Sequence, residues 1–226
     1  MKTHEPILSV LSALLDYPDQ PLLDAIPEIR GILDGHRKLP RTTRAGLDAL
    51  IAHFEASPLI ELQEAYVEAF DRGRATSLYL FEHVHGESRE RGQAMIDLLA
   101  MYEAGGLYLS AGELPDYLPV FLEFLAHEPP ERARSLLGEV ADINRAIAEQ
   151  LARRGAPYFA AVAALLPLAG EPPLTLDGQA ADESPPIDTE ALDKEWQDEP
   201  VSFLNAQSPV SAQPQPIRFY DKRPPG

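Results

Sequence analysis

Residues 136–151, LLGEVADINRAIAEQL, place apolar side chains at the three- and four-residue spacing of an α-helix. The apolar positions of this stripe are Leu136, Leu137, Val140, Ile143, Ile147 and Leu151. Gly155 follows the stripe, and a glycine just beyond the last apolar position commonly ends a helix. The stretch therefore predicts an amphipathic helix whose apolar face packs on other elements.

The same spacing recurs along the chain from its start to about residue 170. Successive stripes are Ile7, Leu11, Leu14 and Leu15; Ile26, Ile29 and Leu33; Leu47, Leu50, Ile51 and Phe54; Leu59, Leu62, Tyr66 and Phe70; Met95, Leu98, Leu99 and Tyr102. Residues that commonly begin a helix are found at Ser57, Ser88, Asp116 and Pro157. Because no long stretch alternates with period two, we predict an all-α, compact multi-helix bundle over residues 1–170.

The composition changes after Gly170. Residues 171–226 hold 10 of the 22 prolines and carry 11 acidic against 4 basic side chains, a net charge of −7. We expect this second region to be an extended, largely irregular, acidic and Pro-rich tail. Within it, EALDKEWQDEPVSF at 190–203 places Leu192 and Trp196 one helical turn apart, which predicts a short docking segment or a partly exposed aromatic.

The overall charge limits the classes of partner. The 226 residues include 36 acidic and 19 basic side chains, for a formal net charge of −17. Nucleic acids and anionic membranes attract clustered Lys and Arg, so neither is expected, whereas a basic partner would be attracted. The absence of cysteine excludes disulfides and thiolate metal sites and fits a reducing compartment.

The first residues and the apolar run near residue 160 bear on localisation. Lys2 precedes the apolar stretch 7–15, as in a short signal peptide, but Ser9 and Ser12 interrupt that stretch. The longest apolar run, FAAVAALLPLA at 159–169, is half of the roughly 20 residues that a membrane-spanning helix needs. We therefore expect a cytoplasmic protein without direct membrane insertion.

Residues 82–87, EHVHGE, are the strongest candidates for chemistry at a metal or an acid–base pair. Helical metal sites space their ligands by three or four residues, whereas His83 and His85 are two apart and point in different directions on a helix. His85 could pair with Asp71 or Glu87, but no nucleophile motif or phosphate-binding loop accompanies them. We predict no metal site and no catalytic residue.

The same region fits a polar network or a peptide-binding surface. Its charged members are Asp71, Arg72, Arg74, Glu82, His83, Glu87, Arg89 and Arg91. Buried charges need partners, so such a cluster can fix one helix packing. A groove for a basic peptide needs similar ingredients, namely aromatic walls and carboxylates. A solvated charged face is a third interpretation, and the residues alone do not distinguish among the three.

Residues 113–128, ELPDYLPVFLEFLAHE, form a second dense segment. Phe121 and Leu125 are predicted to be core residues because they repeat at helical spacing. Tyr117 is a better candidate for the rim of a binding site, since a tyrosine ring is apolar with a polar end.

Both segments carry a specific resemblance. YVEAFDRGRATSLYLFEHVHGESRERGQAMIDLL at 66–99 resembles the central stretch of the nitrate reductase molybdenum cofactor assembly chaperones, the NarJ family within the TorD/DmsD group. ELPDYLPVFLEFL at 113–125 is similar to that group's E-x-P-D-H-L signature, with Tyr117 in place of the histidine. DKEWQDEPVSF in the tail is also similar to the family.

The resemblance implies a function. Such chaperones are TorD-like helical proteins without a cofactor or enzymatic activity of their own. They bind the N-terminal segment of the apo catalytic α subunit of respiratory nitrate reductase. They keep it competent for insertion of the molybdenum cofactor and an iron–sulfur cluster before membrane docking. Proteins that make the molybdenum cofactor are further partners to expect.

The resemblance also yields a hypothesis for the site. The predicted peptide-binding groove consists of Tyr66, Phe70, Asp71, Glu82, His85, Glu87, Glu113, Asp116 and Tyr117. The predicted structural network consists of Arg72, Arg74, His83, Arg89 and Arg91. The clustered arginines keep open an alternative, in which the protein itself handles or delivers the molybdenum cofactor.

Overall fold

The computed structural model describes residues 3–36, 39–84, 89–110 and 112–175, and the side chains of Arg89 and Glu90 are not described. Ten α-helices and one short 3₁₀ helix make up the regular structure of this part of the chain. The α-helices are α1 Pro6–Leu15, α2 Gln20–Gly35, α3 Arg41–Ala56, α4 Leu59–Phe70, α5 Leu80–Val84, α6 Arg89–Ala104, α7 Leu118–His127, α8 Pro130–Glu139, α9 Ala141–Arg153 and α10 Phe159–Ala169. The 3₁₀ helix spans Arg74–Thr76.

The prediction of an all-α fold is confirmed. Within the described residues the only extended pairing is a single antiparallel bridge between Tyr79 and Tyr117. None of the helices described is both long enough and apolar enough to cross a bilayer. The predicted docking segment at 190–203 lies outside the described residues, as does Ser88.

Helix α10 lies at the centre of the bundle. It is apolar on all sides, as expected of a helix surrounded by protein, and it contacts α1, α3, α8 and α9. Gly46 of α3 lies so close to α10 that a Cβ atom at this position would be 3.2 Å from the Ala160 Cβ. Helix α1 packs against α7, and the backbone N–H groups of His4 and Glu5 donate to the carbonyl of Ala126.

The apolar stripe of residues 136–151 belongs to two helices rather than one. Helix α8 ends at Glu139 and α9 begins at Ala141, while Val140 between them has φ −108° and ψ 11°. The two helices on either side of this break both contact α10. Gly138, a poor helix former, lies two residues before Val140.

Two further helix boundaries bear on the site. Asp116 was predicted to open a helix. Helix α7 instead begins at Leu118, and Asp116 lies in the preceding turn. Helix α6 ends before Gly105, as predicted, and Gly106 adopts a positive φ of 83°. Among the α6 side chains that are described, only Tyr102 is buried, so this helix is attached to the bundle mainly by its C-terminal end.

Candidate functional site

A cleft of about 580 Å³ opens where the end of α4 meets the segments that lead into α5 and α7. Its aromatic lining consists of Tyr17, Tyr66, Phe70, Tyr79 and Tyr117. Its charged lining consists of Asp71, Arg74, Glu82 and Arg91. Five residues of the predicted groove, Tyr66, Phe70, Asp71, Glu82 and Tyr117, are thus brought together in one concave surface.

The bridge between Tyr79 and Tyr117 joins the two segments that the sequence singled out. The Leu80 N–H donates to the Asp116 carbonyl at 2.9 Å, and the Leu118 N–H donates to the Leu78 carbonyl at 2.8 Å. These bonds hold the rings of Tyr79 and Tyr117 side by side, with centroids 5.2 Å apart. Backbone pairing therefore fixes one aromatic wall of the cleft.

Hydroxyl groups connect this wall to the end of α1. The Tyr66 and Tyr117 oxygens are 2.8 Å apart, and the Tyr117 hydroxyl donates to the Asp16 carboxylate at 3.1 Å. The Tyr66 hydroxyl also lies 3.1 Å from the Leu15 carbonyl. Burial raises the pKa of both tyrosines, so both hydroxyls stay protonated and serve as hydrogen-bonding groups.

A buried aromatic cluster supports the floor of the cleft. The Tyr66 ring contacts Phe70 at a centroid distance of 4.8 Å and Tyr158 at 5.7 Å, the latter edge to face. Tyr158 is completely buried and also contacts Phe54. Edge-to-face contacts between large rings stabilise beyond simple area burial, so this cluster supports the floor of the cleft.

Asp116 lies below the cleft surface rather than on it. Its side chain is completely buried, and its Oδ2 accepts a hydrogen bond from the Phe81 N–H at 3.2 Å and lies 4.0 Å from the Arg91 guanidinium. Its Oδ1 has no hydrogen-bond partner among the described residues. Burial raises the pKa of Asp116, while the Phe81 N–H and Arg91 act in the opposite direction. A carboxylate placed in this way positions the loop and Arg91.

Other predicted groove and network residues occupy different places. Glu113 lines a neighbouring cleft of about 440 Å³ and accepts from the Ser110 N–H at 3.2 Å. His83 Nε2 lies 2.9 Å from the Ser77 carbonyl. Arg72 is mostly exposed and lies 3.8 Å from Glu68. His85 and Glu87 lie outside the described residues, and so does the side chain of Arg89.

Arg74, which was assigned to the predicted structural network, lines the cleft. Its Nε donates to the Glu82 carbonyl at 2.6 Å, which ties the 3₁₀ helix to α5. Arg74 and Arg91 balance the two carboxylates of the cleft lining, Asp71 and Glu82. The cleft therefore has aromatic walls and no strong excess of either charge. Within the residues described, no three His, Asp or Glu side chains converge as metal ligands do.

The sequence reasoning missed three contributors to the cleft region. Asp16 and Tyr17 come from the end of α1, about fifty residues before the central motif, and Tyr79 lies inside that motif without having been singled out. The run DYP at 16–18, directly after the first apolar stripe, was the available signal, because aromatic and acidic residues at a helix end are surface-accessible.

Comparisons with known proteins identify the family of the chain. Residues 36–164 match the family model described as nitrate reductase delta subunit. The chain is 40% identical over 220 residues to the probable nitrate reductase molybdenum cofactor assembly chaperone NarW of Escherichia coli (strain K12), covering 96% of this chain and 91% of that protein. It is 41% identical over 202 residues to the nitrate reductase molybdenum cofactor assembly chaperone NarJ of the same strain, covering 87% and 84%.

A more distant relative gives the same result. The probable NarJ chaperone of Bacillus subtilis (strain 168) is 34% identical over 155 residues, which cover 66% of this chain and 80% of that protein. The family carries the TorD-like helical fold, in agreement with the ten helices described above. The chain belongs to the nitrate reductase delta subunit family, the family of the nitrate reductase molybdenum cofactor assembly chaperones NarJ and NarW.

Proposed function

We propose that this protein is an assembly chaperone for respiratory nitrate reductase. It binds the N-terminal segment of the apo catalytic α subunit and keeps that subunit competent for insertion of the molybdenum cofactor and an iron–sulfur cluster. Membership of the family supports the proposal, because its relatives are named nitrate reductase molybdenum cofactor assembly chaperones. In this function the protein acts in the cytoplasm, before the α subunit reaches the membrane, and works by binding rather than by catalysis.

The observation that carries the proposal is the open cleft with its tyrosine walls. The faces of such rings bind the apolar anchors of a peptide. Tyr79 and Tyr117 are only partly buried, so their surfaces are available to a ligand, and Glu82 lies beside them. A chaperone must also release its client, so we expect a dissociation constant near the micromolar range, about −8 kcal/mol.

Calorimetric titration with a synthetic peptide from the α subunit's N-terminus tests the assignment. Tyr79→Ala removes an exposed part of the aromatic wall and should weaken binding by about tenfold or more. Glu82→Ala should weaken binding of a basic peptide by a smaller factor. Glu64→Ala, at an exposed position of α4 outside the cleft lining, is the matched control. Wild-type affinity in both cleft variants would contradict the assignment.

A transient chaperone differs from a permanent subunit in one simple way. The chain should be recovered with the apo α subunit and not with the mature, cofactor-loaded enzyme. A pull-down from cells grown anaerobically on nitrate measures the first, and mass spectrometry of purified nitrate reductase measures the second. Stoichiometric recovery with the mature enzyme would identify a structural subunit instead.

One observation favours the alternative in which the protein handles the molybdenum cofactor directly. Arg74 and Arg91 both line the cleft, and guanidinium groups bind phosphate and pterin oxygens well. If this alternative is correct, the purified protein carries a pterin that is detectable by fluorescence after oxidation, and Arg74→Ala with Arg91→Ala abolishes it. A pterin-free protein that still promotes assembly contradicts the alternative.

A further inference from the structure

A second concave surface, of about 490 Å³, runs between α1 and α2, and we call it the α1–α2 groove. Its floor is apolar and consists of Val10, Ala13, Leu22, Ala25, Ile29 and Ile32. Ala13 and Ala25 are half-buried and small, so they leave depth between the two helices. An apolar trough between two helices is the form of surface that receives a third, amphipathic helix.

The charges around this groove all have one sign. Asp16, Asp19 and Glu28 stand on its rim, and all three are exposed. None of the residues that line it is Lys or Arg. The tyrosine cleft differs, because its two carboxylates face two arginines. The region that best complements a basic, apolar segment is therefore the α1–α2 groove rather than the cleft.

We propose that the α1–α2 groove is a second docking surface, occupied by an amphipathic helical segment of the client whose apolar face is flanked by lysine or arginine. The proposal rests on the proposed function, since it takes the client to be the same α subunit. Tyr17 lines both the groove and the cleft, so one continuous polypeptide can contact the two surfaces. The apolar face would bind the groove floor, and the basic side chains would pair with the acidic rim.

Charge argues against two other occupants. Most of the tail is acidic, since residues 171–216 hold 10 acidic side chains and one basic side chain, so the acidic rim repels this part of the tail. A second copy of this chain carries −17 and meets the same repulsion. A basic client, in contrast, gains both apolar burial and charge pairing at this place, as helix-in-groove recognition requires.

Substitutions at the groove test the proposal in the full-length protein. Glu28→Lys reverses an exposed rim charge, and Ala25→Arg fills the floor with a long cationic side chain. Each should weaken binding of the α-subunit N-terminal peptide by about tenfold in calorimetry at low salt. Glu64→Lys, an exposed reversal on α4, should leave the affinity unchanged. Because Glu28 is exposed, its reversal keeps the fold, which circular dichroism and the melting temperature verify.

The set of variants that lose peptide affinity distinguishes this proposal from the proposed function. If Tyr79→Ala weakens binding and both groove variants bind like wild type, the groove proposal is wrong while the peptide-binding function stands. If the α-subunit peptide does not bind wild-type protein at all, the proposed client is wrong. In that case a synthetic Leu/Lys amphipathic helix tests the groove alone, and no binding of it overturns the groove proposal.

A fluorescence experiment locates the occupant. The chain lacks cysteine and has one tryptophan, so Ser9→Cys on the groove wall accepts a single fluorophore that can receive energy from Trp196. We expect peptide binding to change the emission of the label directly and to leave energy transfer from Trp196 unchanged. Strong transfer that disappears when the peptide is added would show that the tail fills the groove, which overturns the proposal.

Discussion

The hydroxyl oxygens of Tyr66 and Tyr117 lie 2.8 Å apart although 51 residues separate them along the chain. Tyr66 comes from α4 and Tyr117 from the turn before α7, so this contact ties together the two segments that carry the family's motifs. Asp16, at the end of α1, accepts from the Tyr117 hydroxyl. Three elements are therefore fixed to one another at the wall of the cleft.

Replacing Tyr117 by phenylalanine tests this connection. Tyr117→Phe removes the hydroxyl that contacts both Tyr66 and Asp16, whereas Tyr66 keeps the Leu15 carbonyl as an acceptor. We expect the free energy of unfolding to fall by about 1 kcal/mol, the net value of a typical hydrogen bond. Urea unfolding measures it. Tyr108→Phe, at a residue that is 76% exposed, is the control and should be neutral.

Asp116 predicts a pH dependence of stability. Burial raises the pKa of its carboxyl above the ordinary 3.8, so the folded protein keeps this proton to higher pH than the unfolded chain does. As pH rises between the two pKa values, the unfolded chain releases its proton first, and this carboxyl lowers the free energy of unfolding. Above the folded pKa the loss is complete and constant.

The variant Asp116→Asn removes that titration. Relative to the wild type, its free energy of unfolding should therefore increase with pH through this window and then level off. Urea unfolding of both proteins from about pH 4 to about pH 8 measures the difference, since it brackets carboxyl titration. Two stability curves that run parallel over the whole range would show that Asp116 does not titrate differently in the folded state.

Much of the fold was predictable because helix periodicity is a local property. The stripes ending at Leu15, Leu33, Phe54 and Phe70 each lie in one observed helix. The division at Val140 was not predictable in this way, since the apolar spacing continues across it. The structure shows the division, and α8 and α9 both contact α10.

The candidate site was predictable only in part, because it combines neighbours in sequence with neighbours in space. The motif segments contain Tyr66 and Tyr117, so composition and resemblance identified them. Asp16 and Tyr17 reach the cleft region through the packing of α1 against α7, which no local pattern encodes. Asp116 was expected to contact a peptide directly, but its burial depends on packing around the loop, which the sequence does not reveal.

Gly105 allows the end of α6 to approach α7. A Cβ atom at this position would lie 2.7 Å from the Phe124 Cε2 and 3.2 Å from the Glu128 Oε1. Because the Phe124 ring is completely buried, moving it disturbs the core, so Gly105→Ala should lower the free energy of unfolding by about 1–3 kcal/mol.

The opposite result is expected at Gly31, which serves as the matched control. Gly31 lies inside α2, and no atom beyond its own helix lies within 4 Å of a Cβ built there. Gly31→Ala should therefore raise the free energy of unfolding by about 0.5–1 kcal/mol, because alanine loses less backbone entropy in a helix. Urea denaturation midpoints measure both effects. If the midpoints of Gly105→Ala and Gly31→Ala both rise, crowding at Phe124 does not affect stability.

Asn144 is a polar side chain in an apolar place. It lies on α9 with no exposed surface, and neither its Oδ1 nor its Nδ2 has a hydrogen-bond partner among the described residues. Burying an amide without partners costs stability, and leucine has the same branched shape with apolar ends. We expect Asn144→Leu to raise the free energy of unfolding by about 1–3 kcal/mol in urea titration. Asn144→Ala removes the amide but leaves a cavity, so its free energy of unfolding should rise less than that of the leucine variant or should fall. A leucine variant less stable than the wild type would show that the amide is hydrogen-bonded in solution.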